Sequence, residues 1–155
     1  MNLNNSKAPP PQQLGKQLPE GQWSAGLFDC LEDSSICCFT CLCPCIIFGR
    51  IAEIVDRGTT SRAAAGLIYC GLGPKICGAL YAGTYRSKLR GLFSLPKEPC
   101  ADWLVHWCCC VCSITQEYRE LQNRGIDPSL GWEGNVEKWK REGCVPPIVA
   151  PGMSR

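Results

Sequence analysis

The chain has little of what most enzymes and most soluble domains are built from. It has one histidine, two methionines and charged residues at 19% of positions, against about 25% in ordinary soluble domains. With one histidine and no glycine-rich phosphate loop, the common catalytic constellations are missing, and enzymatic activity is not expected. A net charge of +2 gives neither the basic footprint of a nucleic-acid binder nor an acidic tail, so no nucleic-acid partner is expected. The first residues, Met1-Asn2-Leu3-Asn4-Asn5-Ser6-Lys7, lack the apolar stretch of a secretory signal. Asn2 is not a myristoylation glycine, and Gly152-Met153-Ser154-Arg155 holds no prenylation cysteine. No apolar run reaches the ~20 residues of a clean spanning helix. Strand signals are weak throughout.

What is present is cysteine: 14 in 155 residues, with 45% of the chain apolar. Without a secretory signal, a disulfide scaffold loses its main support. Reduced thiols are expected instead, as metal ligands, lipidation sites or small core residues. The length suits one domain. Residues 1–22 read as a disordered Pro/Gln-rich arm, 23–126 as a Cys-rich helical membrane domain, and 127–155 as a C-terminal tail with Pro146, Pro147 and Pro151.

Three apolar windows carry the fold. The first, 34–49, reaches residue 55 only by including Arg50 and Glu53; the second, 63–74, continues as 76–85 after Lys75; the third is 103–116, with His106 inside it. A charge at mid-bilayer costs roughly 2.5–3.5 kcal/mol on insertion scales, so these are marginal spans that also suit buried helices of a soluble domain. The expected fold is mainly α: a small helical membrane protein with two short hydrophobic helices, the first spanning or re-entrant, plus a third amphipathic helix and disordered termini. Residues 47, 51, 54 and 55 are apolar at helical spacing within 46–57, and Gly58 should stop that helix. Gly78 with Ala82, and Ala79 with Gly83, form small-xxx-small pairs suited to close helix packing. Pro74 should kink the second helix. Trp103, Trp107, Val111, Ile114, Tyr118 and Leu121 line one face of the third, with Asp102 at its start and Gly125 as its stop. Arg86, Lys88, Arg90 and Lys97 follow the second window while residues 20–33 carry only acids, which argues for a cytosolic C-terminal half.

The candidate site residues fall in two cysteine runs and two acidic pairs. In Cys37-Cys38-Phe39-Thr40-Cys41-Leu42-Cys43-Pro44-Cys45, helical spacing puts Cys37, Cys41 and Cys45 on one face. In Cys108-Cys109-Cys110-Val111-Cys112 it pairs Cys108 with Cys112. Cys38-x-x-Cys41 and Cys109-x-x-Cys112 have zinc-like internal spacing, and thiolates favour zinc, Cu(I) or cadmium. The same cysteines equally suit core packing or S-acylation. Glu53 and Asp56 follow the first run, and Glu117 and Glu120 the second. They suit either an ion pathway or the wet face of an amphipathic helix.

Taken together these motifs resemble the Cys-rich placenta-specific-eight family, in its plant branch of cadmium-resistance proteins and fruit-weight-like cell number regulators. The match is carried by Trp23-Ser24-Ala25-Gly26-Leu27-Phe28-Asp29-Cys30, by the CCxxxxCPC signature at Cys37 to Cys45, and by Phe48-Gly49-Arg50-Ile51-Ala52-Glu53. Pro99-Cys100-Ala101-Asp102-Trp103, Gln116-Glu117-Tyr118-Arg119-Glu120-Leu121, Gly131-Trp132 and the terminal Gly152-Met153-Ser154-Arg155 extend it. Gln122 stands where the family usually has Lys, and Ser61-Arg62-Ala63-Ala64 where cadmium-resistance members often have Cys. The resemblance implies a multi-pass plasma-membrane protein that contacts lipid, self-associates, and binds or transports divalent cations. Zn2+ or Cd2+, and calcium after them, are the ions implied, with metal handling tied to Cys37, Cys38, Cys43 and Cys45. Its alternative is a non-transporting membrane scaffold that restrains cell division through protein partners.

Overall fold

The computed structural model describes residues 22–73, 75–97 and 101–143. Among these there are seven α-helices and no strand: α1 (Ser34–Leu42), α2 (Pro44–Val55), α3 (Arg62–Leu72), α4 (Ile76–Phe93), α5 (Asp102–Cys108), α6 (Cys110–Asn123) and α7 (Gly131–Glu142). Short 3-10 turns at Asp29–Glu32 and Pro128–Leu130 precede α1 and α7.

Each apolar window of the sequence becomes two helices rather than one. The first breaks at Cys43 (φ −138, ψ 68). Its successor is Pro44, and the residue before a proline is pushed out of the helical region. The resulting bend between α1 and α2 is 108°. The second window ends at Gly73 (φ 73) and resumes at Ile76; the kink expected at Pro74 lies outside the described residues. The third breaks at Cys109 (φ −149, ψ 70), nearly the same backbone geometry as Cys43 but with no proline to announce it. No single described helix is long and apolar enough to cross a membrane, although the bent α1–α2 pair passes by length and composition. The expected pair of hydrophobic helices is therefore corrected to four short ones, and the amphipathic third helix to two.

Two of the expected stops are where the sequence puts them. Arg57 (φ 52) and Gly58 (φ 79) end α2, with Gly58 N–H donating to the Glu53 carbonyl at 2.9 Å and Arg57 N–H to that of Ile54 at 3.1 Å. This is a Schellman closure. Gly125 (φ 85) follows α6 in the same role. The segment read as part of a C-terminal tail instead contains α7, whose Trp139 is buried and meets Trp132 edge-on at 5.8 Å. The remaining terminal residues, read as disordered, lie outside the described ones.

The core sits around α2. Ile47, Phe48, Ile51 and Ile54 are fully buried with Leu89 from α4 and Ile114 and Leu121 from α6. Phe48 stacks on Tyr69 at 4.7 Å and meets Tyr85 edge-on at 5.4 Å. Glycines bring the backbones together. A Cβ on Gly49 would strike the Arg62 carbonyl, and one on Gly66 would stand 2.8 Å from the Cys45 carbonyl, so α2 and α3 pack antiparallel at close range. Gly78 and Gly83, singled out by the small-residue pattern, lie against Gly73 and the Trp103 backbone.

Candidate functional site

The breaks at Cys43 and Cys109 decide which thiols meet. Cys37, on α1, neighbours Cys30 and Cys41. Cys112, on α6, neighbours Cys109 and Cys30, with Cys30 Sγ and Cys112 Sγ 3.6 Å apart. Cys110 neighbours Cys109 and Cys41. Thiols from the turn before α1, from α1 and from the α5–α6 break thus converge. Cys45 turns away to Cys70 of α3, so the face shared by Cys37, Cys41 and Cys45 on an unbroken helix does not form. Cys108 is exposed while Cys112 points inward, because the break at Cys109 separates them. Cys38 is exposed and Cys43 is the hinge residue itself. The sequence reading passed over Cys30 and Cys110, which lie beside the chosen cysteines. Cys30 is 82 residues from Cys112, a distance no local spacing rule bridges.

All cysteines in the described residues are free. Among those residues no group of three or more Cys, His, Asp or Glu side chains stands ready-made to hold a metal ion. Partial burial first, and then the neighbouring thiols of Cys30 and Cys41, push the Cys37 thiol up to about 11. Burial with Cys109 and Cys30 pushes Cys112 up as well. These thiols are protonated at neutral pH, so binding a cation there must release protons.

The carboxylates singled out in the sequence are all engaged with bases. Glu53 pairs with Arg62 at 2.8 Å and accepts from Trp132 N–H at 3.3 Å. Asp56 pairs with Lys88 at 3.1 Å and accepts from Thr60 and Tyr85. Burial alone would raise the Asp56 carboxyl, but those hydrogen bonds and the Lys88 charge outweigh it and hold it below the usual range. Glu120 pairs with Arg124 at 2.6 Å and accepts from the Ser24 amide and hydroxyl.

Glu117 belongs to a buried polar cluster that sequence reasoning did not assemble. Arg86 of α4 is fully buried. Its guanidinium donates to Gln116 at 2.8 Å and Ser113 at 3.2 Å, and lies 3.5 Å from both Glu117 and Asp102. Its flat face covers the Trp23 ring at 4.4 Å. Glu117 Oε1 also meets His106 Nε2 at 2.8 Å. Arg90, one turn beyond Arg86, makes a two-pronged pair with Asp102 at 2.8 and 2.6 Å. The available signal was the four-residue spacing of Arg86 and Arg90 on one helix face. In the sequence the two arginines read as part of a surface charge cluster; in the structure both are held by Asp102 and its neighbours.

The PLAC8 family model matches residues 23–120. Protein PLANT CADMIUM RESISTANCE 9 of Arabidopsis thaliana is similar at 55% identity over 141 residues, 90% of this chain and 94% of its own length. Protein PLANT CADMIUM RESISTANCE 12 of the same plant matches at 55% over 144 residues, 93% of this chain and 89% of its own. Cell number regulator 10 of Zea mays matches at 48% over 143 residues, 92% of this chain and 87% of its own. No solved structure matches.

Proposed function

Because the chain belongs to the PLAC8 family, we propose that it is a membrane-bound, self-associating protein of metal tolerance that captures soft divalent cations, Zn2+ or Cd2+, through its thiols. The observation that carries this reading is the convergence of Cys30, Cys37, Cys41, Cys109 and Cys112 from separate elements, with Cys30 and Cys112 already at 3.6 Å. Clustered thiols are the donors that soft ions prefer. The described side chains do not form a finished site, so the ion itself draws the ligands in by side-chain rotation. The printed names of the Arabidopsis relatives, which speak of cadmium resistance, agree with this chemistry.

A second reading has its own support. Glu53, Asp56, Glu117 and Glu120 are each neutralised by a base, and a fully buried Arg86 occupies the interior. Among the described residues one copy therefore offers a cation no path lined by these carboxylates. This favours capture over transport, and it equally suits a scaffold that acts on cell number without moving ions; the maize relative is named as a cell number regulator. Zinc, cadmium and calcium flux into vesicles containing the full-length protein separates these roles. Capture predicts stoichiometric binding of cadmium or zinc with flux no greater than in empty vesicles. Flux that Glu53→Gln and Asp56→Asn abolish would establish a pathway through several copies instead. Neither binding nor flux would leave the scaffold reading.

A further inference from the structure

Three connections share one end of the bundle: the break at Cys43, the α3–α4 turn after Gly73, and the break at Cys109. Gly66 of α3 stands against the Cys45 carbonyl of α2, and Gly83 of α4 against the Trp103 backbone of α5, so the antiparallel neighbours bring residues flanking all three connections to one end. Two other connections, 56–61 and 94–97, lie at the opposite ends of their helices and carry Arg57 and Lys97, with Arg62 opening α3 beside the first.

Among the described residues the shared end is apolar and exposed. Leu42 is 79% and Leu67 73% exposed, and Ile46, Leu72, Ile76 and Trp107 are exposed beside them. Scattered exposed apolar residues need no explanation, but a contiguous end built from several helices does. Its depth is set by the charge-free lengths of its helices. In α3 the residues from Ala63 to Leu72, and in α4 those from Ile76 to Tyr85, carry no charge. Each stretch is about ten residues, or about 15 Å at the helical rise, which is half of a hydrocarbon core of about 30 Å. Lys75 is the one charge between them, and carrying it to the tip costs roughly 2.5–3.5 kcal/mol on insertion scales, which the exposed apolar side chains around it must offset.

Lipid also demands that backbone polar groups find partners within the chain, and such bonds are present beside each connection. At the first break, Cys43 N–H donates to Phe39 at 2.8 Å and the Cys43 carbonyl accepts from Ile46 at 3.2 Å. At the third, Cys109 N–H donates to Val105 and its carbonyl accepts from Ser113, both at 3.0 Å. Gly73 N–H donates to Tyr69 at 3.0 Å. Each connection thus keeps part of its backbone hydrogen bonding within the chain.

We propose that this end is a docking surface for a lipid bilayer, which its three bends enter from one side and leave on the same side, within one leaflet. The inference rests on the membrane reading above and fixes its mode: the connections 56–61 and 94–97 stay on the same side of the membrane. A two-span hairpin built from the first two apolar windows puts them on opposite sides.

The test uses the full chain synthesised with sealed microsomes, carrying an epitope either between Thr59 and Thr60 or directly after Lys97. The expected result is co-flotation with the membrane and protease access to both epitopes from the same face. A second arm uses Leu67→Asp with Leu72→Asp, both at exposed positions, which should reduce flotation at least tenfold without loss of helicity. One epitope shielded and the other cleaved would overturn the one-leaflet mode while leaving the membrane reading intact. Flotation unaffected by the aspartates would show that another surface holds the membrane. A chain that stays in the soluble fraction, or hides this end in a dimer, would overturn both the inference and the membrane part of the proposed function.

Discussion

Replacing Arg86 with methionine is expected to lower stability by about 3–5 kcal/mol, because it leaves the buried Glu117 carboxylate without its arginine. Asp102 keeps its pair with Arg90, and Glu117 keeps its contacts with the His106 ring and the Ser113 hydroxyl. Glu117 is fully buried on α6 and Arg86 on α4, so the loss acts where the two helices meet. Trp23 loses the cation above its ring at the same time. For a domain of this size the melting temperature should fall by about 6–20 °C. The double variant Arg86→Met with Glu117→Gln should recover part of the loss, because it removes the stranded charge along with its partner. Thermal melting of all three proteins in one detergent checks this. An Arg86→Met protein as stable as the parent would mean that the cluster is hydrated and not a structural charge centre.

The second large effect is steric. Gly49→Val is expected to cost about 2–3 kcal/mol, since the added side chain would be driven into the Arg62 carbonyl of the facing helix and α2 and α3 would have to part. Propensity alone argues the opposite, because glycine is a poor helix former. Gly71, also helical, has nothing within 4 Å of an added Cβ, so Gly71→Ala should stabilise by up to about 1 kcal/mol. The pair of melts separates backbone approach from helix propensity. Equal shifts for both variants would contradict the close α2–α3 contact.

The contrast between these glycines shows where the sequence is readable. The small-residue pattern around Gly78 to Gly83 and the stops at Gly58 and Gly125 are local signals, and the structure places a close approach or a turn at each. The break at Cys43 has its proline, but the break at Cys109 has no local marker, so the apolar stripe from Trp103 to Leu121 read as one helix. Its two halves face differently: Trp103 and Trp107 are exposed, while Ile114, Tyr118 and Leu121 are in the core. That break also redistributes the thiols, turning Cys112 toward Cys30 and leaving Cys108 outside. The polar cluster was hidden for another reason. Arg86, Asp102, His106 and Glu117 come from three helices, and only tertiary packing makes them one group. Arginines near a hydrophobic window read as topology signals until their buried partners are seen.

The most direct measurement of the central claim is equilibrium cadmium binding to the full-length protein in vesicles, read by the change in thiol reactivity and by metal content. Thiol capture predicts that Cys30→Ser with Cys37→Ser and Cys112→Ser weakens binding at least tenfold, whereas Cys38→Ser with Cys108→Ser, at exposed positions, changes it little. Affinity should rise with pH, by up to tenfold per unit for each thiol that ionises on binding, since burial and neighbouring thiols hold the Cys37 proton on up to about 11. Binding that is independent of pH, or that survives loss of the inner thiols and disappears with the outer ones, would contradict the account.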